Sequence, residues 1–300
     1  MIDIVGVSKF YAKHTALDKV SFSISGGRIF GLLGPNGAGK TSLIRILNQI
    51  TLPDEGEIRF KGEKLSENHT QKFGYLPEER GLYKKMKVGE QLVYLARLKG
   101  MTAKAAQESL KYYIDRFEIK EWLGKKIEEL SKGMQQKVQF VATIAHSPDV
   151  IILDEPFSGF DPINAELLTN EILNLKAQGK TIMLSTHRME NVEELCDDIA
   201  LINKSKLLVA GRVRDVRRQF ATNKFKVMTN APINGVEGIF NVETSLPNRD
   251  EHVVSILVPM DGADGNAIIA ALLGQTSILS FEELIPSMSE VFIRLIQNQN

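Results

Sequence analysis

Residues 34–41 constrain this chain more than any other stretch. They lie between an apolar run at 29–33 and a segment at 42–47 with helical periodicity, which predicts a strand, a turn and a helix in that order. In that context a glycine-rich turn followed by lysine and a hydroxyl residue is typical of phosphate binding, because consecutive backbone N–H groups can surround an oxyanion at a helix N-terminus. The predicted phosphate-binding residues are Gly34, Pro35, Asn36, Gly37, Ala38, Gly39, Lys40, Thr41 and Ser42. We expect Lys40 to reach the terminal phosphates and the Thr41 hydroxyl to ligate Mg²⁺.

A second chemical signal follows the apolar run at 150–153, which ends in Asp154 and Glu155. Continuous apolar residues indicate a strand buried on both faces. Two carboxylates at its end lie at the carboxyl edge of the sheet, where open α/β folds bind ligands. We expect Asp154 to hold Mg²⁺ through water and Glu155 to polarise an attacking water. Alone, the pair would more often be an acidic turn, but it lies downstream of a phosphate loop.

Hydrophobic patterning divides the chain into regions. Alternating residues at 2–30 predict antiparallel strands, and apolar strands alternating with helices up to about 220 predict a parallel α/β sheet. Helical periodicity over about 86–147 predicts a helical subdomain inserted into that sheet. Residues 221–300 change to short strands, turns and a final amphipathic helix. The predicted domains are therefore 1–220 and a small α+β domain at 221–300.

The composition excludes some classes of protein but does not indicate a function. The 300 residues include 37 Lys and Arg against 37 Asp and Glu, so net charge does not favour nucleic-acid binding. A single cysteine, Cys196, excludes an internal disulfide. No basic, apolar signal-like segment opens the sequence, and no apolar run approaches the ~18–20 residues needed to cross a bilayer. We expect a protein that is soluble when isolated and reaches a membrane only through a partner.

The order of these motifs resembles the nucleotide-binding subunits of ATP-binding cassette (ABC) transporters over residues 1 to about 215. Between and after the two sites the chain carries Leu-Ser-Lys-Gly-Met-Gln at 130–135, Ser-Gly-Phe-Asp at 158–161 and Ser-Thr-His at 185–187. These match the family's signature, D-loop and switch histidine, while 34–41 matches its Walker A loop and 150–155 its Walker B strand. A signature between two Walker motifs is specific to cassettes, whereas a phosphate loop alone is shared by many nucleoside triphosphatases (NTPases). The resemblance implies a P-loop NTPase (ABC ATPase) fold of the α/β class, with an antiparallel β subdomain, the helical insertion and the C-terminal domain.

The resemblance also assigns roles to residues that the pattern alone does not identify. Tyr11 is expected to stack on adenine and His187 to contact the γ-phosphate beside Glu155. The signature residues are expected to bind ATP held by a second copy of the chain, in a head-to-tail homodimer in which Asp161 lies at the contact. Those signature residues are Ser131, Lys132, Gly133 and Met134. The cofactors implied are ATP and Mg²⁺, and the further partner is a separate integral membrane permease at the cytoplasmic face of the cell membrane.

One departure from the family pattern concerns the metal. Most cassettes carry Gln after Gly-Tyr-Leu-Pro, whereas this chain has Glu78, followed by Glu79, Arg80 and Gly81. A carboxylate can still ligate Mg²⁺, so Glu78 is expected to complete the set of Thr41 and Asp154. The Glu-Glu-Arg-Gly-Leu-Tyr loop and the C-terminal domain look most like bacterial cassettes for sodium or multidrug export.

Two alternatives stay open at the level of sequence. The chain has features of an export ATPase, but a soluble cassette ATPase acting on ribosomes or DNA is the other class that uses this fold. Residues 221–300 carry no catalytic constellation, so they are interpreted as a module that senses a ligand, regulates or braces the dimer.

Overall fold

The computed structural model describes residues 1–12, 14–79, 81–248, 252–260 and 262–297, so Arg80 of the predicted metal loop lies outside the described residues. The chain divides into two compact units, Met1–Val213 and Arg214–Asn300. The sequence-based boundary at 220/221 falls after the helix Val213–Gln219, whereas the division between the units falls at its start.

The first unit contains strands in two sheets. The strands are β1 Ile2–Tyr11, β2 His14–Ile24, β3 Ile29–Leu33, β4 Glu55–Phe60, β5 Glu63–Lys64, β6 Phe73–Leu76, β7 Val150–Asp154, β8 Thr181–Ser185, β9 Asp198–Asn203 and β10 Lys206–Arg212. One antiparallel sheet has the order β2-β1-β4-β5, and a second sheet has the order β10-β9-β3-β8-β7-β6. In the second sheet β3 pairs in parallel with β8 and β9, and β7 pairs in parallel with β6 and β8.

Helices complete this unit. They are α1 Lys40–Leu47, α2 Val88–Leu98, α3 Ala103–Arg116, α4 Lys132–Ile144, α5 Pro162–Ala177 and α6 Met189–Leu195, with 3₁₀ turns at Glu67–Lys72, Lys120–Trp122 and Ile127–Glu129. The predicted helical block at 86–147 thus consists of α2, α3 and α4 joined by turns. One detail of the parallel-sheet prediction is wrong, since β10 pairs antiparallel with β9. The two strands are joined at Lys204 and Ser205, and so short a connection permits only a hairpin.

The core of this unit forms where the antiparallel sheet, the central sheet and α1 bring their apolar faces together. All five residues of β3 are buried, as expected for a strand with parallel neighbours on both sides. Phe22 and Phe30 stack with ring centroids 5.2 Å apart inside this cluster. The packing holds the end of β3, and therefore the loop at 34–39, in one place at the sheet's carboxyl edge.

The second unit is a small α+β domain. Its elements are α7 Val213–Gln219, β11 Phe225–Thr229, β12 Phe240–Pro247, β13 Val253–Pro259, α8 Gly265–Leu273, β14 Ile278–Glu283 and α9 Met288–Gln297. The antiparallel sheet has the order β12-β13-β11-β14 and a core of its own. The side chains of β12 are mostly exposed, so its sequence pattern indicates a strand only weakly.

Among the described residues, no helix combines the length and apolar character that a bilayer span requires.

Candidate nucleotide site

The loop between β3 and α1 has a backbone conformation that requires glycine at two positions. Gly34 and Gly39 have φ values of +148° and +113°. A Cβ atom on Gly34 would lie 2.1 Å from the carbonyl oxygen of Ile202, and one on Gly39 would lie 2.2 Å from that of Ala16. Glycine is therefore required at both positions on steric grounds. Gly39 is the N-cap of α1 and has no side chain with which to cap the helix, so the first N–H groups of α1 are available to an anion.

Lys40 is the cation of this loop. Its Nζ donates to the carbonyl oxygens of Gly34 at 2.6 Å and Pro35 at 3.1 Å, and the side chain is buried. Burial lowers the pKa of Lys40, while the negative charges of nearby Glu155 and Asp154 act in the opposite direction. An incoming phosphate oxygen would satisfy this buried ammonium better than two neutral carbonyls, because charge-assisted hydrogen bonds are stronger.

Carboxylates from two neighbouring strands meet opposite Lys40. Asp154 is the last residue of β7 and is 5% exposed, and Glu78 follows the parallel strand β6 by two residues. Burial raises the pKa of Asp154, and the adjacent charges of Glu78 and Glu155 raise it further. Buried carboxylates that repel one another are stabilised by a bound cation.

Glu155 is held in an unusual conformation by the residues after β8. Its φ is +48°, a left-handed value that is uncommon for a residue with a side chain. Oε1 accepts hydrogen bonds from the backbone N–H of His187 at 3.0 Å and from its Nδ1–H at 2.6 Å. Thr186 Oγ1 donates to Oε2 at 3.4 Å. The carboxylate is thus oriented by two consecutive residues while the histidine ring stays largely exposed.

These groups line one cavity of about 370 Å³. Its lining residues are Tyr11, His14, Ala16, Asn36, Gly37, Gly39, Lys40, Thr41, Ser42, Glu78, Asp154, Glu155 and His187. Most sequence-predicted binding and catalytic residues are therefore brought together. Of the predicted loop, Gly34, Pro35 and Ala38 shape the turn without lining this cavity. His14 and Ala16 were not expected; they enter it because β2 starts directly beside Tyr11 at the end of β1.

Tyr11 lies at the edge of this cavity. Its ring is 44% exposed, and Lys9 Nζ lies 5.7 Å from the ring centroid. An exposed aromatic face of this kind can stack on a planar base.

The donor set suits a magnesium ion that arrives with phosphate. Thr41, Glu78 and Asp154 supply oxygen ligands at the same cavity. Within the part of the chain that the structure describes, no group of three or more His, Cys, Asp or Glu side chains could hold a metal unaided. Mg²⁺ usually keeps several waters and binds through one or two carboxylates together with substrate phosphates.

Comparison with known proteins shows to which family this chain belongs. The sequence matches the family described as "ABC transporter" over residues 17–158, and the family described as "ATP-binding protein DrrA1-3-like, C-terminal domain" over 211–296. It is 40% identical over 299 residues to the uncharacterized ABC transporter ATP-binding protein YhaQ of Bacillus subtilis, covering 99% of this chain and 98% of that one. The chain belongs to the ABC transporter ATP-binding proteins.

Two further likenesses extend this assignment. The Nod factor export ATP-binding protein I of Burkholderia pseudomallei is 36% identical over 216 residues, 71% of each chain. A solved ATP-binding subunit of an ABC transporter superposes with a TM-score of 0.69 at 30% identity, covering 73% of this chain and 93% of that one. The predicted fold class is confirmed, and the chain is an ATP-binding subunit of the ATP-hydrolase class.

The cassette's signature residues lie outside the cavity. Ser131 caps α4, and its Oγ accepts a hydrogen bond from the backbone N–H of Met134 at 3.3 Å. Lys132 and Gly133 begin the helix, and a Cβ on Gly133 would lie 3.5 Å from the Gly159 carbonyl oxygen. The signature therefore adjoins the segment that leads to α5, and neither lines the phosphate cavity of its own chain.

Asp161 occupies the start of α5. Its side chain accepts a hydrogen bond from the Asn164 backbone N–H at 2.9 Å, and Pro162 follows at the first helical position. This bond holds the pKa of Asp161 below its ordinary value. The structure thus gives Asp161 a capping role, and its part in a dimer contact stays a prediction.

Proposed function

We propose that this chain is the ATPase subunit of an exporter, acting as a head-to-tail homodimer bound to a separate integral membrane permease. One observation supports the dimer: the phosphate cavity holds the loop, the carboxylates and the histidine, while Ser131, Lys132, Gly133 and Met134 form the start of α4 outside it, where the Ser131 side chain caps only the Met134 N–H. A helix N-terminus with accessible N–H groups suits a phosphate of a nucleotide bound elsewhere. A second copy supplies that nucleotide most simply, because a two-fold pair completes both sites at once.

Hydrolysis within this site assigns a task to each side chain. The loop N–H groups and Lys40 bind the phosphate oxygens, and Tyr11 stacks on the base. A water oxygen attacks the γ-phosphorus, the bond from that phosphorus to the β-phosphate oxygen breaks, and Glu155 takes the water's proton. His187 holds the carboxylate through Nδ1–H. Positioning and electrostatics of this kind are the main sources of rate enhancement in phosphoryl transfer.

Mg²⁺ would be held by Thr41, Glu78 and Asp154, with phosphate oxygens and water as its other ligands. Bound there, the ion neutralises charge on the phosphates. The repulsion among Asp154, Glu78 and Glu155 gives the site its affinity for a cation.

A surface beside Glu78 fits the permease. Tyr83 and Tyr94 meet edge to face at 6.0 Å, and both are exposed, as is Leu98 at 61%. A groove of about 430 Å³, lined in part by Pro77 and Leu98, lies next to them. Exposed apolar residues around a concave surface indicate a protein contact. This position would couple the permease to the Glu78 loop and keep the chain at the cytoplasmic face of the membrane.

The proposal of export draws on the relative that is named for Nod factor export. For the transporter that contains this chain, we propose a sodium ion or a drug-like small molecule as the cargo, selected by the permease. Neutral net charge and the match to transporter subunits give no support to ribosomes or DNA as partners.

Affinity purification from a detergent extract of membranes tests the proposal. We expect the wild-type chain to retain one polytopic membrane protein, and Tyr83→Ala with Leu98→Ser to lose it while still binding ATP. Retention of ribosomes or DNA in place of a membrane protein would overturn the export reading.

A further inference from the structure

Gln139 is a buried polar residue of α4 that does not line the phosphate cavity. Its side chain is 4% exposed, although a glutamine amide loses hydrogen bonds to water when it is buried. Such a residue is retained at low cost only if the fold supplies partners for it.

The partners of Gln139 lie on both sides of Glu78. Nε2 donates to the carbonyl oxygens of Pro77 and Glu79, each at 3.4 Å. An NH₂ group has two hydrogens, so one amide can serve both carbonyls. Within the described residues Oε1 has no hydrogen-bond partner. Among the described residues, donation to this loop is therefore the only polar compensation for the buried amide.

A neighbouring glutamine makes the equivalent contact to the other catalytic loop. Gln136 is 3% exposed, and its Nε2 donates to the carbonyl oxygen of Pro156, which follows Glu155 directly. The helix that begins at the signature is thereby bonded to the loops that carry both Glu78 and Glu155.

Glu78 needs such a restraint because of its charge. It lines the same cavity as Asp154 and Glu155. Repulsion between these like charges favours positions of the Glu78 side chain farther from the other two carboxylates. Bonds to the carbonyls immediately before and after Glu78 oppose that movement without placing any further charge in the cavity.

We propose that Gln139 is a positioning residue for ATP hydrolysis, which holds Glu78 at the metal site by bonding its loop to α4. The inference rests on the proposed function where it takes Glu78 as a ligand of Mg²⁺. It differs from that proposal in predicting a mechanical effect that exists without nucleotide or metal.

Hydrogen–deuterium exchange of the full chain, without nucleotide or Mg²⁺, tests the mechanical part. Gln139→Met keeps the size of the side chain and removes the donor. We expect faster exchange in peptides covering 77–79. The matched control is Thr143→Val, because Thr143 Oγ1 lies in the same helix within hydrogen-bond distance of the Gln139 backbone carbonyl, at 2.9 Å, and of the Tyr75 carbonyl in β6, at 3.3 Å, without a hydrogen bond, among the described residues, to the loop or the Gln139 side chain. This control should leave exchange at 77–79 unchanged. Unchanged exchange in Gln139→Met, and in Gln139→Glu as a second variant, would overturn the inference.

A Mg²⁺ titration of ATP hydrolysis tests the functional part. We expect Gln139→Met to raise the half-saturating Mg²⁺ concentration about two- to tenfold, the effect of losing a neutral hydrogen bond, with less change in kcat at saturating Mg²⁺. Thr143→Val should match the wild type. Glu78→Ala serves as the reference and should raise the requirement at least as much.

The Glu78→Ala reference distinguishes a failure of the proposed metal site from a failure of the role of Gln139. An unchanged Mg²⁺ requirement in Glu78→Ala would remove Glu78 from the proposed metal site and this inference with it. A raised requirement in Glu78→Ala, with none in Gln139→Met, would overturn the role of Gln139 alone.

Discussion

At the scale of single residues, the site depends on charges that are buried before any ligand arrives. Lys40 lies among carboxylates yet bonds to the carbonyls of its own loop, and Asp154 is buried beside Glu78 and Glu155. The free protein therefore holds charges of both signs at one cavity. A triphosphate with a divalent cation is complementary to that arrangement, which explains why these residue types occur together.

Replacing Lys40 by alanine tests this view of the cavity. The variant loses a charge-assisted hydrogen bond to phosphate, so we expect ATP affinity to fall about 10- to 100-fold. Isothermal titration with ATP measures the change. Lys99→Ala is a matched control, because Lys99 is a half-buried lysine that, like Lys40, is bonded to backbone carbonyls, those of Thr70 and Phe73, but lies outside the cavity. Equal affinity in wild type and Lys40→Ala would contradict the loop assignment.

At the scale of elements, α4 connects the signature to the rest of the cassette, and His146 lies just past its end. Its Nε2–H donates to the Phe73 carbonyl oxygen of β6 at 3.2 Å, and Lys99 bonds to that same oxygen. Burial, together with the charges of Lys99 and Lys180, lowers the pKa of His146 to about 4, while the hydrogen bond to Phe73 acts in the opposite direction. The folded chain therefore favours the neutral ring.

A pH dependence of stability follows from that shift. Between about pH 4 and 6.5 the unfolded chain binds a proton at His146 that the folded chain does not, so the free energy of unfolding rises with pH across this window. This contribution is complete above 6.5, is lost as pH falls towards 4, and amounts to about 3 kcal/mol at most. Chemical denaturation of His146→Gln should show a shallower slope across the window than wild type. Identical slopes would contradict the assignment.

Local signals account for the elements that sequence predicted well. Asp161 followed by Pro162 predicts a helix start, and α5 begins there; Ser287 and Glu290 predict a capping box, and both of its hydrogen bonds form at α9. The strand β12 is harder to predict, because an edge strand with solvated side chains lacks the alternation that identifies a strand.

Long-range contacts limit how much of the site can be predicted from the sequence. The loop lysine and the paired carboxylates follow from motifs, because strand ends and glycine turns are local features. The bonds from Gln139 to Pro77 and Glu79 join segments about sixty residues apart, and no spacing in the sequence indicates them. The same applies to Ala16, which enters the cavity through the pairing of β1 with β2.

At the scale of the whole molecule, nucleotide chemistry belongs to one of the two compact units. Each residue that lines the phosphate cavity lies within Met1–Val213, and each unit has its own apolar core. Residues 221–300 are proposed to interact or regulate rather than to bind the nucleotide.

Truncation tests this division. A chain of residues 1–213 should fold and bind ATP within about threefold of the full-length affinity, since neither its core nor its cavity uses residues beyond that point. Circular dichroism checks the fold and equilibrium titration the affinity. A folded fragment that no longer binds ATP would show that the second unit contributes to the site.

The central claim is that Glu155 drives hydrolysis in a site that two copies complete. Glu155→Gln keeps the size of the side chain but removes the base, so we expect ATP binding to persist while turnover falls at least about 100-fold. Glu171→Gln, at a buried glutamate of α5 bonded to Arg116, is the control and should hydrolyse ATP at the parent rate. The decisive measurement combines ATP turnover with light scattering of Glu155→Gln in ATP and Mg²⁺. The account predicts negligible turnover and an accumulated dimer, and parental turnover by a persistent monomer would contradict it.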